Sequence, residues 1–130
     1  GMSIPEIVEK FGWTRFRNLE SEMALELSGL DNIVIDTGGG IIERPENIDV
    51  LKRNSRIFWL RASVDTIVRR IQTDTQRPAL TIGKTFTEEV AEILEQRIPK
   101  YKSAAQYEID TDALTPGQIA EEIIEIFEKI

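Results

Sequence analysis

The 130-residue sequence contains no cysteine and no histidine. The first absence removes disulfides and thiolate nucleophiles, the second removes imidazole general bases, and together they remove the usual zinc ligand sets. Any chemistry must therefore run on carboxylates, arginine or lysine, backbone amides, or an oxygen-liganded metal such as magnesium. There is no apolar run of about 18 residues and no basic-then-apolar leader, so neither membrane insertion nor secretion is indicated and the cytoplasm is the default location. Positive charge is also scarce. Sixteen Lys and Arg stand against 23 Asp and Glu, a formal net charge of −7, which argues against nucleic acid or an anionic membrane as partner. An acidic chain can still build a local positive pocket, and its arginines must then cluster against the overall trend.

What is present, 41% hydrophobic and 30% charged residues, suits one globular domain spanning residues 1–130. The stretch Val34-Ile35-Asp36-Thr37-Gly38-Gly39-Gly40 organises it. Asn32 to Thr37 has the apolar, β-branched pattern of a strand buried on both faces. Three glycines in succession weaken any regular element, so they mark a tight turn or the close approach of a ligand. Bare backbone N–H groups after a strand can hold an anion, although a flexible strand-to-helix connection is the plainer reading.

Ser3-Ile4-Pro5-Glu6 carries the signals of a helix start, with Ser3 as N-cap, and Ile4, Ile7, Val8 and Phe11 follow at helical spacing until Gly12. A second helix is predicted from Thr14 to Ser28. Its stripe is Phe16, Leu19, Met23 and Leu27, which leaves Arg17 and Glu20 one turn apart on another face. Pro45 starts a short helix through about Arg53, with Ile48 and Leu51 inward. Ile57 to Leu60 is a second buried strand, and Ser63 caps a helix whose Val64, Ile67, Val68 and Ile71 face inward. Residues 73–86 lack periodicity and read as a long loop of the kind that serves as a lid. A helix follows from Thr87, interrupted near Pro99. Tyr107 to Asp110 is a third short strand. Thr115-Pro116-Gly117-Gln118 then opens the last helix, with Ile119, Ile123, Phe127 and Ile130 as its core stripe. Strands alternating with helices predict an α/β fold with a parallel sheet.

The order SIPEI, FRxxE at Phe16 to Glu20, TGGG at Thr37 to Gly40, RPxL at Arg77 to Leu80 and RxPxY at Arg97 to Tyr101 resembles shikimate kinase over nearly the whole chain. The resemblance implies a P-loop nucleoside-kinase fold that transfers the γ-phosphate of ATP, with Mg²⁺, to the 3-hydroxyl of shikimate in aromatic amino-acid biosynthesis. Carried over by motif, Arg17 holds the shikimate carboxylate, Glu20 orients Arg17, Gly38, Gly39 and Gly40 line the pocket, and Arg97 supplies a second cation. A guanidinium suits that task because it grips a carboxylate with two parallel hydrogen bonds. Arg77 would be the lid arginine over the phosphates, and Arg70 and Pro116 would sandwich adenine. From the residues alone, Arg17 and Glu20 could equally be a surface ion pair, Arg70 and Arg97 could merely complement helix dipoles, and Pro116 already has a role as a helix starter.

The family pattern also includes a GxxxxGK[ST] phosphate loop, which occurs nowhere in this sequence; Lys84 after Gly83 is no substitute, because no strand precedes it. The expected gap ahead of Ser3 is roughly thirty or more residues, a strand-helix-strand unit. The sheet is accordingly expected to shrink to about three rearranged strands flanked by helices, with exposed apolar surface covered by self-association. Asp36 and Ala79 depart from the commoner family residues. The chain is therefore expected to be shikimate-kinase-like but inactive alone. The alternative is a non-catalytic remnant that binds a small carboxylate or a protein; a gluconate kinase of the same fold is disfavoured by the FRxxE and TGGG pair.

Overall fold

The computed structural model describes residues 1–71 and 85–130. The expected loop over 73–86, with Arg77, lies outside them apart from Thr85 and Phe86. The described chain forms two compact units, one of residues 1–56 and one of residues 57–71 and 85–130.

In the first unit, α1 (Ile4–Ser28) opens on the Ser3 hydroxyl, which accepts the Glu6 N–H at 3.3 Å. The helix pattern continues on both sides of Gly12, but Gly12 itself has φ 85° and ψ 170°, a conformation that glycine alone adopts without strain. The expected stop is thus present as a sharp break inside one long element. A 3₁₀ turn (Gly39–Glu43) leads into α2 (Pro45–Lys52). Ile42, Ile48 and Leu51 bury against α1, whose Ala24 is also buried, so the inward assignment of Ile48 and Leu51 holds. Asn54 donates its side-chain amide to the Leu30 carbonyl at 3.1 Å and to Asp31 Oδ1 at 3.0 Å, tying the end of α2 to the end of α1.

Asn32 to Thr37 corrects an expectation. The run is irregular and unpaired, Asn32 has φ 58°, and Val34 is 98% exposed. A strand needs a hydrogen-bonded neighbour to become one, and the described residues supply none to this run. Met23 and Phe11, one from each expected apolar stripe of α1, are exposed as well.

The second unit holds the sheet. β1 (Phe58–Arg61) and β2 (Tyr107–Asp110) run parallel, with Phe58 beside Tyr107 and Leu60 beside Ile109. Among the described residues the sheet therefore has two strands rather than about three. Phe58 stacks on Tyr107 at 5.0 Å between ring centroids, and Ile109 is 2% exposed. Gln106 pins the start of the pair by accepting the Ile57 N–H on its side-chain oxygen at 2.7 Å. α3 (Val64–Ile71) packs on α4 (Phe86–Ala104), which begins one residue earlier than expected, with Thr85 as its cap. α4 also runs through Pro99, so the predicted interruption there is absent. α5 (Pro116–Glu128) carries the full capping box of Thr115 and Gln118. Its expected core stripe is not buried: Phe127 is 60% exposed and Ile130 is exposed as well.

Candidate functional site

The glycine turn and α1 meet at a single arginine. Arg17 projects from α1 just beyond the Gly12 break, and its Nη1 donates to Glu20 Oε1 at 2.7 Å, with both side chains largely buried. The guanidinium also lies 5.4 Å from the Trp13 ring centre and 5.3 Å from that of Phe16, close enough for cation–π attraction. A carboxylate and two aromatic faces thus fix its plane. Directly against it is Gly40, which is buried. A β-carbon built there would stand 2.6 Å from Arg17 Cζ and would clash with Nη1. A larger residue at this position would have to displace the guanidinium, so the close approach, and not the φ of Gly40, is what favours glycine here. A β-carbon at Gly38 would lie 3.7 Å from Glu20 Oε2. Gly39 begins the 3₁₀ turn between them.

A guanidinium offers five N–H donors in a planar fork, and Glu20 neutralises this one while leaving it cationic in form. Held beside glycine backbone, such a group can take a carboxylate or phosphate from an incoming ligand. Next to it is a cleft of about 140 Å³ lined by Glu20, Asp36, Thr37 and Gly38 and by the apolar Met23, Leu27 and Leu51. Four of the residues singled out in the sequence, Arg17, Glu20, Gly38 and Gly40, therefore come together in the first unit.

The remaining described candidates belong to the second unit. Arg70, in the last turn of α3, donates from Nη1 to Thr111 Oγ1 at 2.8 Å and from Nη2 to the Thr111 carbonyl at 2.7 Å. Thr111 follows β2, is 1% exposed, and passes its own hydroxyl proton to the Arg61 carbonyl at the end of β1 at 2.9 Å. Arg70 is thus locked across the C-terminal ends of two parallel strands, where open α/β sheets place ligands. Asp112 accepts the Ser63 N–H at 2.9 Å. That backbone bond, helped by Thr66, the Ser63 hydroxyl and the Arg70 charge, holds its carboxyl below the ordinary value against an opposing cost of desolvation. Pro116 is the first residue of α5, and Arg97 sits half-buried on α4.

The sequence reading missed Asn47, Thr111 and Asp112. Asn47 stands out only as an amide between apolar neighbours on a short helix, and Thr111-Asp112 only as hydroxyl and carboxylate directly after a strand.

A family model described as shikimate kinase matches residues 1–128. The chain belongs to the shikimate kinase family. Among curated relatives, the shikimate kinase of Thermodesulfovibrio yellowstonii is 42% identical over 130 residues, which is all of this chain and 74% of that protein. That of Caldicellulosiruptor bescii is 40% identical over 126 residues, 97% of this chain and 72% of the relative. The structure of a shikimate kinase from Acinetobacter baumannii in complex with shikimate matches with a TM-score of 0.92 at 29% identity, covering 99% of this chain and 72% of that one. The fold class is thereby α/β of the shikimate kinase type, with the parallel pair β1 and β2 as its described sheet. The family uses ATP and Mg²⁺. Among the described residues no group of three or more His, Cys, Asp or Glu could hold a metal ion by itself. Nor do they include a GxxxxGK[ST] loop to cradle the phosphates. No helix among the described residues is long and apolar enough to cross a membrane.

Proposed function

We propose that this chain is a shikimate-kinase-like domain that binds shikimate through its first unit and has little phosphotransferase activity on its own. The observation that carries the reading is the Arg17 guanidinium, paired with Glu20 and seated on the buried Gly40. In this reading Arg17 receives the shikimate carboxylate, Glu20 orients Arg17, and Gly38, Gly39 and Gly40 line the acceptor pocket; Arg97, in the second unit, is carried over by motif alone as a candidate second cation. The shikimate complex of the related Acinetobacter enzyme supports a cyclic carboxylate as the ligand. By the same resemblance Arg70 and Pro116 would flank the adenine of ATP; Arg77, the candidate for its phosphates, lies outside the described residues.

Phosphoryl transfer depends on positioning and on neutralising phosphate charge, tasks that a phosphate loop and its Mg²⁺ perform. The loop motif does not occur in the 130 residues, which supports low activity for the chain acting alone. The alternative is a non-catalytic remnant that binds a small carboxylate or a protein. The domain is taken to work in the cytoplasm and to self-associate through exposed apolar side chains such as Val34 and Phe127.

A coupled ADP-release assay with MgATP, with and without shikimate, tests the reading. Shikimate-dependent turnover well below the usual kinase range of about 1–100 per second, together with calorimetric binding of shikimate, is expected. Turnover within that range would overturn the proposed inactivity, and absence of shikimate binding would overturn the assigned ligand.

A further inference from the structure

The glycine turn reaches Arg17 at a separation that leaves no room for a methyl group, so something must hold the turn at that height. The backbone of a glycine-rich segment cannot do so alone, since it has the most conformational freedom to lose. Two hydrogen bonds bracket Gly40. The Ile41 N–H closes the turn on the Gly38 carbonyl at 3.3 Å, and the Ile41 carbonyl accepts from Asn47 Nδ2 at 3.1 Å. The first is weak and internal to the turn. The second comes from α2, where Asn47 is 3% exposed and lies between the buried Ile42, Ile48 and Leu51.

We infer that Asn47 is a positioning residue for the Arg17 site: its side-chain amide, by holding the Ile41 carbonyl, sets Gly40 against the guanidinium and so fixes where an incoming carboxylate can sit. The register of α2 supports this role. The Asn47 backbone N–H donates to the Arg44 carbonyl at 3.0 Å, closing the first turn of the helix, and this aims the side chain back at the 3₁₀ turn. The far end of the same turn is moored to α1 by Arg44 Nη1, which donates to Ser21 Oγ at 3.2 Å, one helical turn after Arg17. The glycine turn is thus suspended between α2 and α1, with Asn47 as its buried attachment. A buried amide that loses its acceptor, or a carbonyl that loses its donor, is costly enough to displace a turn by the small distance that matters here.

The inference rests on the proposed shikimate reading for its ligand but not for its geometry, and the test separates the two. The Arg17 Nε–H resonance of the ligand-free chain would be followed by NMR in the wild type and in Asn47→Asp, Asn47→Ser and Ile48→Ala, alongside shikimate titration by calorimetry. Asn47→Asp keeps the shape but turns the donor into an acceptor; Asn47→Ser is smaller and retains a donor. Ile48→Ala weakens the same helix without touching the hydrogen bond. The expected result is a shifted or broadened Arg17 signal and about tenfold weaker shikimate binding in Asn47→Asp, a smaller change in Asn47→Ser, and an unmoved Arg17 signal in Ile48→Ala despite its lower unfolding midpoint. An unchanged Arg17 signal in Asn47→Asp, or an equal change in Ile48→Ala, overturns the inference. Should the Asn47 variants not fold, rapid hydrogen exchange of the Asn47 side-chain amide in the wild type overturns it, and slow exchange supports it. A wild-type chain that ignores shikimate while Arg17 still responds to Asn47→Asp would sink the shikimate reading and leave the positioning role standing.

Discussion

Gly40 and Arg17 occupy one space from two sides, and a single added methyl tests that contact. Gly40→Ala must push the guanidinium off the turn and away from Glu20, because the alternative is overlap with Arg17 Nη1 and Cζ. Overpacking of this kind costs about 1–3 kcal/mol, and the loss should fall on shikimate affinity more than on folding, since the displaced group is the end of a flexible side chain. Calorimetry against urea unfolding of the same variant separates the two. Thr111→Val tests the second unit in the same manner. It removes a buried hydroxyl that both accepts from Arg70 and donates to the Arg61 carbonyl, so denaturant unfolding should register about 1–3 kcal/mol of lost stability. Asp112 adds a dependence on pH. Its folded-state carboxyl is held below its ordinary value, first by the Ser63 N–H, so the stabilisation is present above the unfolded-state value and is lost as pH falls below about 4. Asp112→Asn should flatten that acid limb in unfolding measurements; an unchanged limb would remove Asp112 as a contributor.

The elements divide into those that local chemistry specifies and those that need a neighbour. Caps are local. Ser3, Thr85 and Thr115 each accept an N–H three residues on, and the Thr115 and Pro116 signals were legible because capping requires particular side chains at fixed offsets. Thr115→Ala should cost about 1 kcal/mol in urea unfolding, since it loses the hydroxyl that accepts the Gln118 N–H, while the Thr115 N–H keeps its bond to Gln118 Oε1. The Gly12 break was legible for a similar reason. Burial is not local. Asn32 to Thr37 has the composition of an interior strand, yet it lies unpaired with Val34 exposed, because strand structure belongs to the partner as much as to the run. The same holds for Phe127 and Ile130 on α5, whose spacing is right for a core that the described chain does not supply. Within the site, Arg17, Glu20 and the glycines were legible as motif residues. Asn47 and Thr111 were not, because each acts by bonding a carbonyl distant in sequence, and nothing in periodicity encodes that.

A chain of net charge −7 repels anionic polymers, and its Arg17, paired with Glu20 against the glycine turn, offers guanidinium N–H donors at one point to a small anion. Its exposed apolar side chains, Val34, Leu25 and Phe127 among them, are expected to drive association at micromolar concentration; a monomer throughout in sedimentation equilibrium would contradict that. Family membership fixes the ancestry of the fold, and the Arg17, Glu20 and Gly40 cluster is the part of the shikimate-kinase pattern most fully assembled in the first unit. The most direct test is a calorimetric titration of shikimate into the 130-residue chain and its Arg17→Ala variant. Saturable binding near one ligand per chain, weakened by about 10- to 100-fold in the variant as expected for loss of a charged hydrogen-bond partner, is the predicted result. Absence of binding in the wild type, or equal binding in both chains, would contradict the account.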